Sequence, residues 1–171
     1  MGVKSVRRKT AFTEEHKEEQ TMNIKERLGK ELLCLDGGMG TLLQEQGLEA
    51  GELPETWNIK YPDRVTNVHR RYYDAGSHVV LANTFGANAC KFHDTDMTLE
   101  AVIKAGIENA RKAGSKIGRE TYVALDVGPT GKLLKPMGDL SFEEAYETFA
   151  EVVRYGVKYG ADLIHIETMS D

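Results

Sequence analysis

Leu32-Leu33-Cys34-Leu35-Asp36-Gly37-Gly38-Met39-Gly40-Thr41 decides the fold, because its pattern returns three times along the chain. A short apolar run ends in a polar residue, turn formers follow, and a helical pattern begins. The same order appears at Val79-Val80-Leu81-Ala82-Asn83, Val123-Ala124-Leu125-Asp126 and Leu163-Ile164-His165-Ile166-Glu167. The closing polar residues stand 47, 43 and 41 positions apart. That interval holds one strand, one helix and two loops.

Sorting each run by alternation gives one apolar face: Leu33, Leu35, Val80, Ala82, Val123, Leu125, Val127, Ile164 and Ile166. The other face is mixed, and its polar members gather at the C-terminal strand ends. Strands buried on both sides, with polar groups at one end, predict a parallel sheet. Between them, Pro62 suits the first turn of a helix running to about Ala75, with Gly76 beyond its end. Thr98 caps a predicted helix that closes near Gly114. Ser141-Phe142-Glu143-Glu144 is a capping box opening another that runs to Gly160. A short helix over Ile24 to about Lys30 precedes the first strand.

The order β-α-β-α-β-α-β suits a doubly wound open sheet or a (β/α)8 barrel. The dinucleotide fingerprint G-x-G-x-x-G fails, since counting from Gly38 its last position is Leu43, and counting from Gly37 its second is Met39. A barrel also accounts for polar residues at every strand tip. The barrel is the preferred reading, and four strands are half of one.

Composition narrows the function classes. A net charge of −5 over 171 residues leaves no electrostatic footprint for nucleic acid. No apolar run approaches the ~18 residues of a membrane span. The basic N-terminus is not followed by an apolar segment, so it is no secretory signal, and Val6 breaks the myristoylation pattern. Two cysteines, Cys34 and Cys90, make no disulfide framework. These features predict a cytoplasmic protein. Residues 1–23 carry mixed charge without apolar periodicity and are expected to form a mobile leader.

Asp36, Asp126 and Glu167 would meet at the barrel mouth as carboxylates orienting a small amine-bearing molecule. Their alternative role is to cap neighbouring helices. Gly37, Gly38 and Gly40 allow backbone amides to approach a ligand, with a helix starting at Thr41, or simply permit a tight turn. Asn83-Thr84 and Gly128-Pro129-Thr130-Gly131 either shape the pocket or make turns. Cys90 and His93 have i, i+3 spacing but no second pair, which argues against a metal. Cys34 reads as a small core residue, and His165 as a satisfied core histidine below Glu167.

These segments resemble the homocysteine S-methyltransferase family. The resemblance is carried by Leu35-Asp36-Gly37-Gly38-Met39-Gly40-Thr41, Pro54-Glu55-Thr56-Trp57-Asn58, Ala82-Asn83-Thr84-Phe85-Gly86-Ala87, Asp126-Val127-Gly128-Pro129-Thr130-Gly131 and Glu167-Thr168-Met169-Ser170-Asp171. Within the family the pattern is most similar to the N-terminal module of the cobalamin-dependent methionine synthase branch. The resemblance implies the N-terminal half of a (β/α)8 barrel over residues 24–171, ending after strand four, that binds homocysteine at its mouth. Asp36 and Glu167 would hold the amino group. Amides of Gly37, Gly38 and Met39 would lie near the carboxylate, and Asn83 and Asp126 would line the pocket. In the family a zinc ion held by three cysteines prepares the sulfur, and methylcobalamin is the expected donor on a separate module. Cys34 and Cys90 match none of those zinc positions. The chain is therefore expected to be inactive alone, completed by a C-terminal half-barrel. The alternative is a noncatalytic half-barrel that assembles with itself.

Overall fold

A computed structural model describes residues 23–93 and 95–169. Apart from Asn23, the expected leader over residues 1–23 lies outside the described residues. The elements in order are α1 (Ile24–Arg27), α2 (Met39–Gln44), a 3-10 turn (Pro54–Thr56), α3 (Trp57–Lys60), α4 (Pro62–Asp74), β1 (Val79–Leu81), α5 (Leu99–Gly114), β2 (Tyr122–Val127), α6 (Phe142–Lys158) and β3 (Leu163–Ile166). The helix signals operate as local chemistry dictates. Thr98 Oγ1 accepts the Ala101 N–H at 3.2 Å to start α5. In α6 the Ser141 hydroxyl accepts the Glu144 N–H, and the Glu144 carboxylate accepts the Ser141 N–H. Gly76, at φ +113°, follows α4 in a conformation that favours glycine.

The three strands are parallel in the order β1-β2-β3, with Val80 opposite Val123 and Leu125 opposite Ile164. Alternation sorts their side chains into two layers. Val80, Ala82, Val123, Leu125 and Val127 meet Ile103, Ile107, Ala110 and Val152 of the covering helices. On the opposite face Val79, Tyr122 and Ala124 pack with Ile24, Leu33, Leu81 and Leu163. A third cluster, Leu43, Leu48, Trp57, Val65 and Val68, joins α2, α3 and α4 beside the glycine loop.

The expected first strand is the main correction. Residues 32–36 make one bridge, Leu35 to Val79, instead of a ladder. Side chains occupy the positions that backbone groups would fill. His78 Nδ1 accepts the Cys34 N–H at 3.2 Å, and Asp36 Oδ2 accepts the Leu81 N–H at 3.1 Å. The segment thus runs along β1 but is held to it partly by imidazole and carboxylate. Cys34 is exposed rather than a core residue. Leu35, Ile164 and Ile166, expected on the buried apolar face, are 44%, 42% and 65% exposed. They lie at the two sides of the sheet, whereas α4 covers β1 and α5 and α6 cover β2. The parallel α/β arrangement is present. Among the described residues the sheet has three strands.

Candidate functional site

One cavity of about 540 Å³ opens at the C-terminal ends of the strands. Its wall contains Asp36, Gly37, Gly38, Met39, Asn83, Asp126 and Glu167, the seven residues singled out from the sequence. Glu55, Phe85, His165 and Thr168 also line it. Parallel strands produce this convergence, because each ends at the same side of the sheet and turns outward there.

Asp36 forms the floor. Its Oδ2 accepts the Leu81 N–H, while its Oδ1 is buried without a partner. Burial pushes its pKa up to about 7, and the charge of Asp126 adds to the rise. Asp126 is likewise raised to about 6, first by burial and then by the charge of Glu167, with His165 opposing. The His165 Nδ1 lies 3.4 Å from Asp126 Oδ1, a long contact for a hydrogen bond. His165 is therefore a partly open cavity residue beside a carboxyl, not the enclosed core histidine that the alternation suggested.

The loops are held by neutral groups. Asn83 Nδ2 donates to Pro54 O and to Asn58 Oδ1, both at 2.9 Å, so its two amide protons face protein and not ligand. Asn58 Nδ2 donates to Asn83 O at 2.7 Å and Val102 O at 3.1 Å, and Asn109 Nδ2 donates to Asn58 O at 3.0 Å. This amide web joins α3, the end of β1 and α5. The Thr84 hydroxyl donates to Asp126 O at 2.8 Å and accepts the Asp126 N–H at 3.1 Å, prolonging the β1–β2 pairing toward the mouth.

Glycine is required where the loops meet. At Gly37 a Cβ would lie 3.0 Å from the Tyr72 hydroxyl, which donates to Gly38 O at 3.0 Å. At Gly128 a Cβ would lie 2.5 Å from ring carbons of Phe85 and 2.6 Å from its carbonyl oxygen. Helix α2 begins at Met39, two residues before the expected start, so Met39 also packs on the Leu43 cluster. Thr168, a β-branched residue at φ +57°, occupies the left-handed region immediately after Glu167.

No metal centre emerges. Among the described residues no group of three or more His, Cys, Asp or Glu side chains is arranged to hold a metal ion. Cys34 and Cys90 are the only cysteines in the chain, so three thiolates cannot come from it, and the zinc site of the family does not fit these residues.

Sequence reasoning overlooked Glu55 and Asn58 as individual site residues, although both fall within Pro54-Glu55-Thr56-Trp57-Asn58. The available signal was an acidic and an amide residue flanking Trp57 in a segment without a solvent-facing periodicity. Glu55 is 2% exposed and Asn58 1% exposed.

Comparison with known proteins places the chain among relatives. The sequence profile described as Homocysteine S-methyltransferase matches residues 33–171. The chain is 30% identical over 155 residues to methionine synthase of Mycobacterium tuberculosis, covering 84% of this chain and 13% of that protein. It is 29% identical over 162 residues to methionine synthase of Mycobacterium leprae, covering 87% and 13%. The chain thus spans a small part of the length of these curated relatives. The metallated form of the homocysteine methyltransferase MmuM from Escherichia coli superposes with a TM-score of 0.73 at 25% identity, over 88% of this chain and 58% of that one. Its oxidized form gives 0.68 at 26% identity, over 84% and 55%. The shared parallel α/β architecture and the profile matched over residues 33–171 lead to one conclusion: this chain belongs to the homocysteine S-methyltransferase family.

Proposed function

We infer that this chain is the amino-acid-orienting part of a homocysteine-binding barrel, serving methyl transfer to the homocysteine sulfur to give methionine. The observation that carries this reading is the single cavity on which Asp36, Gly37, Gly38, Met39, Asn83, Asp126 and Glu167 converge. Asp36 and Glu167 hold the ammonium group. Asp36 Oδ1, buried without a partner, lacks the donor that the ammonium would supply, and an approaching cation favours the ionised carboxylate despite burial. Amides of Gly37 to Met39 face the substrate carboxylate. Asp126, beside His165, lines the pocket, and Asn83 shapes it through its backbone and its bonds to Pro54 and Asn58. Homocysteine, rather than nucleic acid or a membrane, is the partner; among the described residues no helix is long and apolar enough to cross a bilayer. The working compartment is the cytoplasm.

Sulfur activation lies outside this chain. Zinc, which would hold the sulfur as thiolate, and methylcobalamin, which would supply the methyl group, belong to the complete assembly. Catalysis then requires a C-terminal half-barrel. The exposed Ile164 and Ile166 of the edge strand β3 also favour a second reading, a noncatalytic half-barrel that pairs with itself.

The test is zinc content and methyl transfer to homocysteine, measured on the chain alone and mixed with a separately made C-terminal half. Activity and zinc in the mixture only is the expected result. Turnover by the chain alone would overturn the assignment of sulfur activation to the other half. A zinc-free dimer that is inert in both samples would favour self-assembly.

A further inference from the structure

Glu55 has no part in that reading, yet it is among the most enclosed charged residues of the molecule. It sits in the 3-10 turn at 2% exposure, and Trp57, at the same low exposure, follows two residues later. Glu55 Oε1 accepts the Gly86 N–H, whereas Oε2 is buried with neither solvent nor partner. There is no slack in this contact: a Cβ on Gly86 would lie 2.8 Å from Oε1 and 3.2 Å from Oε2.

The bonded loop leads directly to the cavity. Phe85, next to Gly86, lines it, and its carbonyl accepts the Gly128 N–H at 3.1 Å. Its ring stacks against the bare face of Gly128 and lies 5.3 Å from Lys91 Nζ. On the other side of Glu55, Pro54 O receives the Asn83 amide. One carboxyl therefore links the 3-10 turn, the loop after β1 and, through Phe85, the loop after β2.

We propose that Glu55 is a positioning residue that acts as the neutral acid, clamping the Phe85–Gly86 turn so that homocysteine meets a preformed cavity wall. This rests on the homocysteine reading above. A carboxylate here would be a buried anion bonded by the N–H groups of Gly86 and of Glu55 itself, with Oε2 left unpartnered. Its wall already carries Asp36, Asp126 and Glu167. Asp126 on β2 repels a charge on Glu55, and Lys91 beyond β1 offers only partial compensation. Burial dominates the balance and raises the Glu55 pKa. With Oε1 accepting from Gly86, the acidic proton resides on Oε2, and the clamp needs the carbonyl alone.

The distinguishing comparison is Glu55→Gln with Glu55→Ala, each measured for homocysteine affinity by calorimetry from pH 6 to 9 and for Gly86 amide exchange without ligand. Gln keeps the acceptor and the shape but cannot ionise. It is expected to bind within roughly twofold of the parent, to follow the parent's pH response, which Asp36 and Asp126 set in both, and to leave Gly86 exchange unchanged. Ala, still folded by circular dichroism, is expected to bind roughly tenfold or more weakly and to exchange Gly86 faster. Equal weakness of both variants would overturn the neutral-acid clamp, as would an Ala variant that binds and exchanges like the parent. If the parent itself fails to bind homocysteine, the ligand reading falls. The clamp is then decided by Gly86 exchange, which must rise in Ala and not in Gln.

Discussion

Replacing Asp36 by Asn separates the ligand role of this residue from its burden on the fold. In the folded chain Asp36 titrates near 7, against an ordinary value of 3.8. Between those values the folded state holds a proton that the unfolded chain releases. Stability therefore falls as pH rises through that window. Above it the ionised, buried carboxylate costs about 4 kcal/mol relative to the neutral acid. Asn preserves the shape and can accept the Leu81 N–H, but it has no proton to lose. Its amide also places donors where Asp36 Oδ1 has no partner, a penalty of about 1–3 kcal/mol that does not vary with pH.

The informative quantity is thus the change in the stability difference, not its absolute value. Urea unfolding followed by far-ultraviolet circular dichroism should show Asp36→Asn gaining about 2–3 kcal/mol on the parent between pH 5 and pH 7.5. Subtraction removes the slopes from other groups, Asp126 included, apart from its coupling to Asp36. The same variant should bind homocysteine about 10- to 100-fold more weakly, the loss of a charge-assisted contact to ammonium. A stability difference constant to within about 0.5 kcal/mol over that range would refute the argument, since Asp36 would then titrate as an ordinary carboxyl.

Three further substitutions probe the frame. His69 is fully buried, neither ring nitrogen has a partner, and burial drives its pKa down to about 3; because the unfolded chain binds protons at His69 first, stability should fall as pH drops below about 6.5, and His69→Leu should recover about 2 kcal/mol at pH 5 in urea unfolding. Asn58→Ala should cost about 3 kcal/mol or more by removing the donor to buried Asn83 O and the acceptor of the Asn83 amide, and nuclear magnetic resonance should show the Asn83 amide shifted. Ser141→Ala removes one half of the capping box and should lower stability by about 1 kcal/mol, seen as a fall in Tm of about 2–4 °C.

Legibility followed the range of the interactions. The α5 and α6 boundaries depend on Thr98, Gly114 and Ser141, whose bonds span a few residues, and the sequence marks them closely. The parallel β2 and β3 were readable as short apolar runs closed by a polar residue; β2 is buried at every position, and β3 alternates between half-buried and exposed. The first strand was not, because its attachment uses His78 and Asp36 side chains, and these mimic backbone groups only once the chain is folded. The gathering of Asp36, Asp126 and Glu167 on one cavity followed from their place at strand ends. Glu55 was hidden for the opposite reason: it lies in a turn, where no periodicity exists, and its partner Gly86 is 31 residues away. His165 was placed on the correct face but at the wrong depth, since alternation assigns a side and says nothing of how far a cavity reaches.

The amide web has a consequence for how this molecule would respond to its surroundings. Asn58, Asn83 and Asn109 carry no titratable proton, and together they tie α3, β1 and α5 into a scaffold whose shape is indifferent to acidity. The interior it encloses, with Asp36 and Asp126, changes its electrical character near neutrality. A vessel of fixed form with variable contents lets the medium tune the grip on a ligand without remodelling the walls. Structures taken in mildly acidic and mildly alkaline media should then superpose, even as their occupancies diverge.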